Sequence, residues 1–323
     1  MKSFKHIDAK SIHEACKLLR KYKGKAKLIA GGTDLLGILK DRVLPEYPEA
    51  LINIKTIPNL NYIKEDKKGL RIGALTILSD IVKSPMIQKR YSVLAEASRE
   101  VATTQIRNMA TLGGNLCQEV RCWYYRYPHQ VGGRILCLRK GKGPCLAPSG
   151  DNRYHAIFGG KRCFAVCPSD TAVALTALRG KVVITGGKGR RTIPIEEFFT
   201  ALGNVLGSGE IVTEIQVPRP DEKAKQTFLK FTLRRPIDFA IVSVASVISL
   251  QDGVCKEARI ALGGVAPTPL RVVNAEHFIK GKTITPEIAS HAAEEALKEA
   301  RPLSLNAYKI ELTKALIQKA LMA

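Results

Sequence analysis

The sequence predicts an α+β chain: a half of alternating short helices and strands that carries two glycine loops, followed by an antiparallel sheet with helices. Three observations carry this. Short β-like runs alternate with helical periods through residues 1–100. Two Gly-Gly loops, Ala30-Gly31-Gly32-Thr33-Asp34 and Ala110-Thr111-Leu112-Gly113-Gly114-Asn115, lie in this α/β half and at its end. After residue 210, four runs read as consecutive strands: Ile211–Val217, Thr227–Leu233, Ile241–Leu250 and Ala258–Leu262. Helical stretches over Pro286–Ala300 and Ala307–Ala323 are expected to cover that sheet.

In order, Ser11 reads as an N-cap, with Ile12, Ala15, Cys16 and Leu19 recurring at helical spacing. Cys16 is therefore expected in the core. Ala26–Ala30 reads as a strand that runs into Gly31-Gly32-Thr33-Asp34, and a helix is expected from Leu35. Strand, glycine turn, helix is an arrangement that presents backbone N–H groups to an anion. The G-x-G-x-x-G and Gly-Lys-Ser/Thr spacings of other nucleotide loops are absent. Further strands are expected at Leu51–Ile54 and Leu70–Leu75, and a helix over Tyr91–Val101. Val182–Thr185 and Arg191–Ile193 read as a hairpin, Ile195–Phe199 as a short helix, and Cys255 as part of a hairpin turn.

The chain has 323 residues, 45 % of them hydrophobic, enough for a sizeable core. The longest apolar run, Phe239–Ile248, is interrupted by two serines and is too short to span a membrane. The N-terminus has no apolar stretch of the signal-peptide kind, so a cytoplasmic location with reduced thiols is expected. A net charge of +22 spread along the chain suits an acidic partner surface or an anionic ligand; no short nucleic-acid signature is present.

Six of the eight cysteines fall between Cys117 and Cys167. From Leu116 to Arg162 the chain shows neither helix nor strand period and has little aliphatic content for a core. Three readings of these thiols stand side by side: inert residues, a zinc site, or an iron–sulfur cluster on four thiolates. Spacing alone does not choose between the two metals.

Several motifs together resemble the FAD-binding medium subunit of molybdenum hydroxylases, the PCMH/CO dehydrogenase flavoprotein type. They are Ile29-Ala30-Gly31-Gly32-Thr33-Asp34-Leu35, Ile72-Gly73-Ala74-Leu75-Thr76, Gln105–Asn115, Pro168-Ser169-Asp170-Thr171-Ala172, Arg234-Arg235-Pro236-Ile237-Asp238-Phe239-Ala240 and Gly263–Pro269. The resemblance implies FAD-binding subdomains at 1–58 and 59–200 and a C-terminal domain at 210–323. It implies pyrophosphate loops at Ile29, Ala30, Gly31, Gly32, Thr33, Asp34, Leu35 and Leu36 and at Thr111, Leu112, Gly113, Gly114 and Asn115. Further flavin contacts are implied at Val101, Asp170, Val212 and Lys230. Asp170 also suits an N-cap, and Lys230 a surface lysine.

Within the family, the 4-hydroxybenzoyl-CoA reductase type is similar in its cysteine insert, here about 116–163: Asn115-Leu116-Cys117, Arg121-Cys122-Trp123-Tyr124, Cys137, Cys145 and Cys163-Phe164-Ala165-Val166. That likeness implies a 4Fe–4S cluster on Cys122, Cys137, Cys145 and Cys163, with Cys117 or Cys167 as alternatives for the fourth position. It also implies a small 2Fe–2S subunit and a large molybdopterin subunit as partners. An external carrier (ferredoxin or NAD(P)H) and an aromatic acyl-CoA substrate such as 4-hydroxybenzoyl-CoA are implied as well. No residue is expected to be catalytic on the organic substrate. The alternatives are a xanthine or CO dehydrogenase-type FAD subunit without a cluster, and a basic, zinc-stabilised scaffold or nucleic-acid-binding protein.

Overall fold

The computed structural model describes residues 1–133, 135–234 and 237–323. Arg235 and Pro236 of the Arg-Arg-Pro-Ile-Asp motif lie outside the described residues. Among the described residues three larger sheets organise the chain, beside a two-stranded pair of Phe199–Thr200 with Gly203–Asn204. The first is parallel: Ala50–Asn53 lies between Lys5–Asp8 and Ala26–Ile29. The helix Ile12–Lys21 connects the two outer strands. Ser11 caps it by accepting from the Glu14 amide, and Glu14 accepts in turn from the Lys10 amide. Cys16 is buried on its inner face, as expected.

The second sheet has five antiparallel strands, in the order Ile63–Asp66, Gly69–Gly73, Ile211–Val217, Lys181–Gly186, Gly189–Pro194. This corrects one expectation. Ile211–Val217 does not open the C-terminal sheet; it is the middle strand of this one. It is buried on both faces and therefore needs a neighbour on each side, which Gly69–Gly73 and Lys181–Gly186 supply. Proximity in sequence to the later strands hid this.

The third sheet holds Lys225–Phe231, Val242–Gln251, Val254–Gly263 and Leu270–Arg271, antiparallel throughout. Helices Val273–Ile279, Pro286–Leu297 and Tyr308–Met322 share its apolar cluster, around Val244, Ile260, Leu262, Ala292 and Ile317. Cys255 lies in the strand Val254–Gly263 and is fully buried; the turn itself is Asp252-Gly253, both at positive φ. The helix Asp170–Ala177 is buried along its whole length.

The cysteine segment also departs from expectation. It contains the short helices Trp123–Arg126 and His129–Gly132 and a 3-10 turn at Leu138–Lys140. It also has a core, formed jointly by Val120, Tyr125, Cys137, Cys163 and Ala165 with Ile38 and Val43. Two buried asparagines pin it to the C-terminal region. Asn152 Nδ2 donates to the Ala147 and Gly150 carbonyls, and its Oδ1 accepts from the Leu305 amide at 2.9 Å. Asn306 Nδ2 donates to the His155 and Ala156 carbonyls. Side-chain amides thus satisfy a backbone that has no sheet partner.

Beside this anchor, Lys309 is fully buried, and its Nζ donates to the Gly264 carbonyl at 2.7 Å. Burial pushes its ammonium down to about 7. An unfolded lysine titrates near ~10.4. Between those values the unfolded chain holds one proton more than the folded chain, so this residue makes stability rise with pH across that window. Below about 7 both states are charged and the penalty is constant. Lys309→Met should remove the rise: the wild-type-minus-variant unfolding free energy should change by up to ~1.4 kcal/mol per pH unit between pH 7 and 10. Urea titrations at several pH values measure it, and a pH-independent difference would refute the assignment.

Candidate functional site

The two glycine loops face each other across a cavity of 430 Å³. The first follows the strand Ala26–Ile29 of the parallel sheet and leads into the helix Leu35–Lys40. The second lies at the start of the short helix Leu112–Leu116, where Thr111 Oγ1 accepts from the Gly114 amide at 3.1 Å. Each glycine has a different reason to be one. A Cβ on Gly31 would run into the Met109 carbonyl, so the loops touch backbone to backbone there. Gly32 has φ +71°, a conformation open to glycine at little cost. A Cβ on Gly113 would press on Ala74, at 2.9 Å from its carbonyl oxygen, which seats the second loop against the antiparallel sheet.

At the far side of the cavity is a buried charge pair. Asp170 Oδ2 is 2.7 Å from Lys230 Nζ, and the same Nζ donates to the Glu100 carbonyl at 2.8 Å. Burial pushes the Asp170 carboxyl up, and the Lys230 ammonium pulls it back towards the ionised form. The surface-lysine reading of Lys230 is therefore overturned. The N-cap of the helix is Ser169, whose Oγ accepts from the Ala172 amide at 3.1 Å, and Asp170 is the first helical residue. Asn115 Oδ1 accepts from Ser169 Oγ and Thr171 Oγ1 at 2.6 and 2.7 Å, which locks the second loop to this helix.

Of the residues expected at the flavin, Ile29–Leu35, Val101, Thr111, Gly114, Asn115, Asp170 and Lys230 line the cavity. Four do not. Leu36 packs its side chain beside Gly32, Gly113 backs onto Ala74, and Leu112 and Val212 belong to the core of the second sheet. Asp34 does not direct its carboxylate solely at the cavity: it accepts from Arg121 Nη1 and Arg126 Nη2, both at 2.6 Å, and from the Glu119 amide at 2.8 Å. These bonds tie the first glycine loop to the cysteine segment. Sequence reasoning missed Gln118, Arg121 and Phe239 on the cavity wall. The only signal for Arg121 was its place next to Cys122.

The thiols divide into two groups. Burial is the main cause that pushes Cys122 up to about 11, and the charges of Cys163 and Cys145 add to it. Cys137 shares the apolar cluster of Cys163 and Cys122, and His155 Nε2 is 3.3 Å from Cys122 Sγ. Cys117 and Cys167 are each pushed up to about 12 by burial, with no second thiol contributing. Among the described residues, no three His, Cys, Asp or Glu side chains stand in metal-holding geometry. No helix among them is long and apolar enough to cross a membrane.

Comparison with known proteins agrees with this architecture. Residues 2–220 match the family described as FAD binding domain in molybdopterin dehydrogenase, and residues 227–323 the CO dehydrogenase flavoprotein C-terminal domain. The chain is 32 % identical over 329 residues to the aldehyde oxidoreductase FAD-binding subunit PaoB of Escherichia coli, covering 99 % of this chain and 98 % of that one. It is 31 % identical to the carbon monoxide dehydrogenase medium chain of Hydrogenophaga pseudoflava, covering 99 % and 96 %. A solved carbon monoxide dehydrogenase structure from that organism superposes with a TM-score of 0.80 at 29 % identity, over 100 % of this chain and 97 % of that one. The apposed glycine loops, the sheet order and these matches lead to one conclusion: the chain belongs to the FAD-binding medium subunits of the molybdenum hydroxylases, a family of oxidoreductase subunits.

Proposed function

We propose that this chain holds FAD between its two glycine loops and carries electrons within a molybdenum-hydroxylase-type complex. The observation that carries the reading is the cavity itself, closed by backbone contact at Gly31 and bounded at the far side by Asp170. Bound FAD supplies reversible two-electron and one-electron chemistry. The chain's own part is to bind and orient it. Amides of residues 31–33 suit an anionic pyrophosphate, and Asp170, fixed by Lys230, can accept from a ribose hydroxyl. Val101 offers an apolar contact at the cavity wall. A small 2Fe–2S subunit and a large molybdopterin subunit are the proposed partners. Ferredoxin or NAD(P)H is the proposed external carrier.

A 4Fe–4S cluster on Cys122, Cys137, Cys145 and Cys163 extends this reading. Support comes from the donor set: thiolates suit iron–sulfur, and Cys122, Cys137 and Cys163 share one small apolar core, with Cys145 adding to the electrostatics of Cys122. The cluster would draw the thiols together, so that metal binding and ordering of the segment go together. A subunit with FAD alone is the second reading, and the lack of a ready-made metal cage among the described residues favours it. The cysteine pattern supports an aromatic acyl-CoA such as 4-hydroxybenzoyl-CoA as the substrate of the complex; similarity to PaoB supports an aldehyde.

Two outcomes test the proposal on protein purified without oxygen. Gly31→Ala should cut FAD content at least about tenfold in folded protein, by prising the loops apart. Gly37→Ala, which meets nothing within 4 Å, should leave FAD in place; its helix should gain up to ~1 kcal/mol. Equal flavin absorbance in both variants would remove the loops from the site. For the cluster, Cys145→Ser should lose most of the bound iron, and Cys167→Ser should keep it. Iron-free wild-type protein with normal FAD would leave the FAD-only reading standing.

A further inference from the structure

Arg121 belongs to the cysteine segment, yet both glycine loops hold it. Its Nη1 donates to Asp34 Oδ1 at 2.6 Å, from the first loop. Its Nη2 donates to Gln118 Oε1 at 2.8 Å, and Gln118 Nε2 donates to the Asn115 carbonyl of the second loop at 2.9 Å. The guanidinium carbon lies 4.4 Å from the centre of the Phe239 ring, which covers one face. The side chain lines the cavity between the loops, and its Nε is buried with no hydrogen-bond partner. Nη1 and Nη2 each carry a second N–H beyond these bonds, so the pinned guanidinium keeps donors for an anion in the cavity.

The charge balance points the same way. One Asp34 carboxylate serves both Arg121 and Arg126, so this cluster of three side chains carries one positive charge in excess. Asp34 and Arg121 line the same cavity as Gly32 and Thr33 of the first loop. Lys230 is committed to Asp170 and the Glu100 carbonyl at the other end.

We propose that the Arg121 guanidinium, through its remaining Nη–H groups, donates to the FAD pyrophosphate, so that the cysteine segment forms part of the flavin site. This rests on the flavin reading above and adds a side-chain cation to a loop pair that otherwise offers amides. Asp34 and Gln118 are then positioning residues: they aim the guanidinium. Order in the cysteine segment and retention of flavin become one linked property.

The test is a fluorescence titration of FAD into the deflavinated full-length chain, with ADP and riboflavin as competing probes. Arg121→Gln should weaken FAD and ADP by the same factor, on the order of tenfold to a hundredfold, and leave riboflavin, which has no phosphate, unchanged. Arg121→Lys should recover part of the loss, because it keeps the charge but not the planar fork of donors. Arg153→Gln, an exposed change in the same segment, should bind all three like wild type. Unchanged FAD and ADP affinity in Arg121→Gln would overturn the proposal, and so would an equal loss of riboflavin binding, the mark of a purely structural role. Wild-type protein that binds neither FAD nor ADP would instead sink the flavin reading beneath it.

Discussion

What the cavity can do depends on a backbone contact between two elements from different sheets, at Gly31 and Met109. The parallel sheet delivers one loop and the antiparallel sheet supports the other. With no side chain in the way, the strands behind them set the gap between their amides. The further fastenings act on this contact: Asn115 locks the second loop to the helix Asp170–Ala177, and Asp34 locks the first to the cysteine segment. An anion between these loops meets donors that are already in place, so little ordering is needed when it binds.

The same frame explains the buried pair Asp170–Lys230. Two buried charges are costly unless each has good partners. Here Lys230 has Asp170 and the Glu100 carbonyl, and Asp170 sits in the first turn of a helix, where a negative charge is favoured. The pair spans from the helix to the strand Lys225–Phe231 of the third sheet, so one wall of the site belongs to the C-terminal part of the chain.

Local features were legible in the sequence, and long-range ones were not. Ser11, Gly32 and the strand–turn–helix at residues 26–40 follow from capping and φ preferences within a few residues. The grouping of Lys230 with Asp170, sixty positions apart, came only from the family likeness; spacing carries no trace of it. Val212 and Leu112, which the family likeness implied at the flavin, have their side chains in the core of the second sheet, a placement that spacing does not reveal once both faces are covered. The cysteine segment hid its core because half of that core comes from elsewhere: Ile38 and Val43 follow the first glycine loop. Arg121 was invisible as a site residue since Asp34, the partner that brings it to the first loop, lies far from it in the sequence.

The strand Ile211–Val217 has a consequence for synthesis. The second sheet needs it as its middle member, between Gly69–Gly73 and Lys181–Gly186. A nascent chain emerging from the ribosome has made everything else in that sheet before the strand that joins its two halves exists. Until then two strand edges stay open and the support of the second glycine loop is incomplete. The flavin-binding half therefore cannot close while it is being translated up to residue 210, and any shortened form that ends before Val217 exposes those edges permanently.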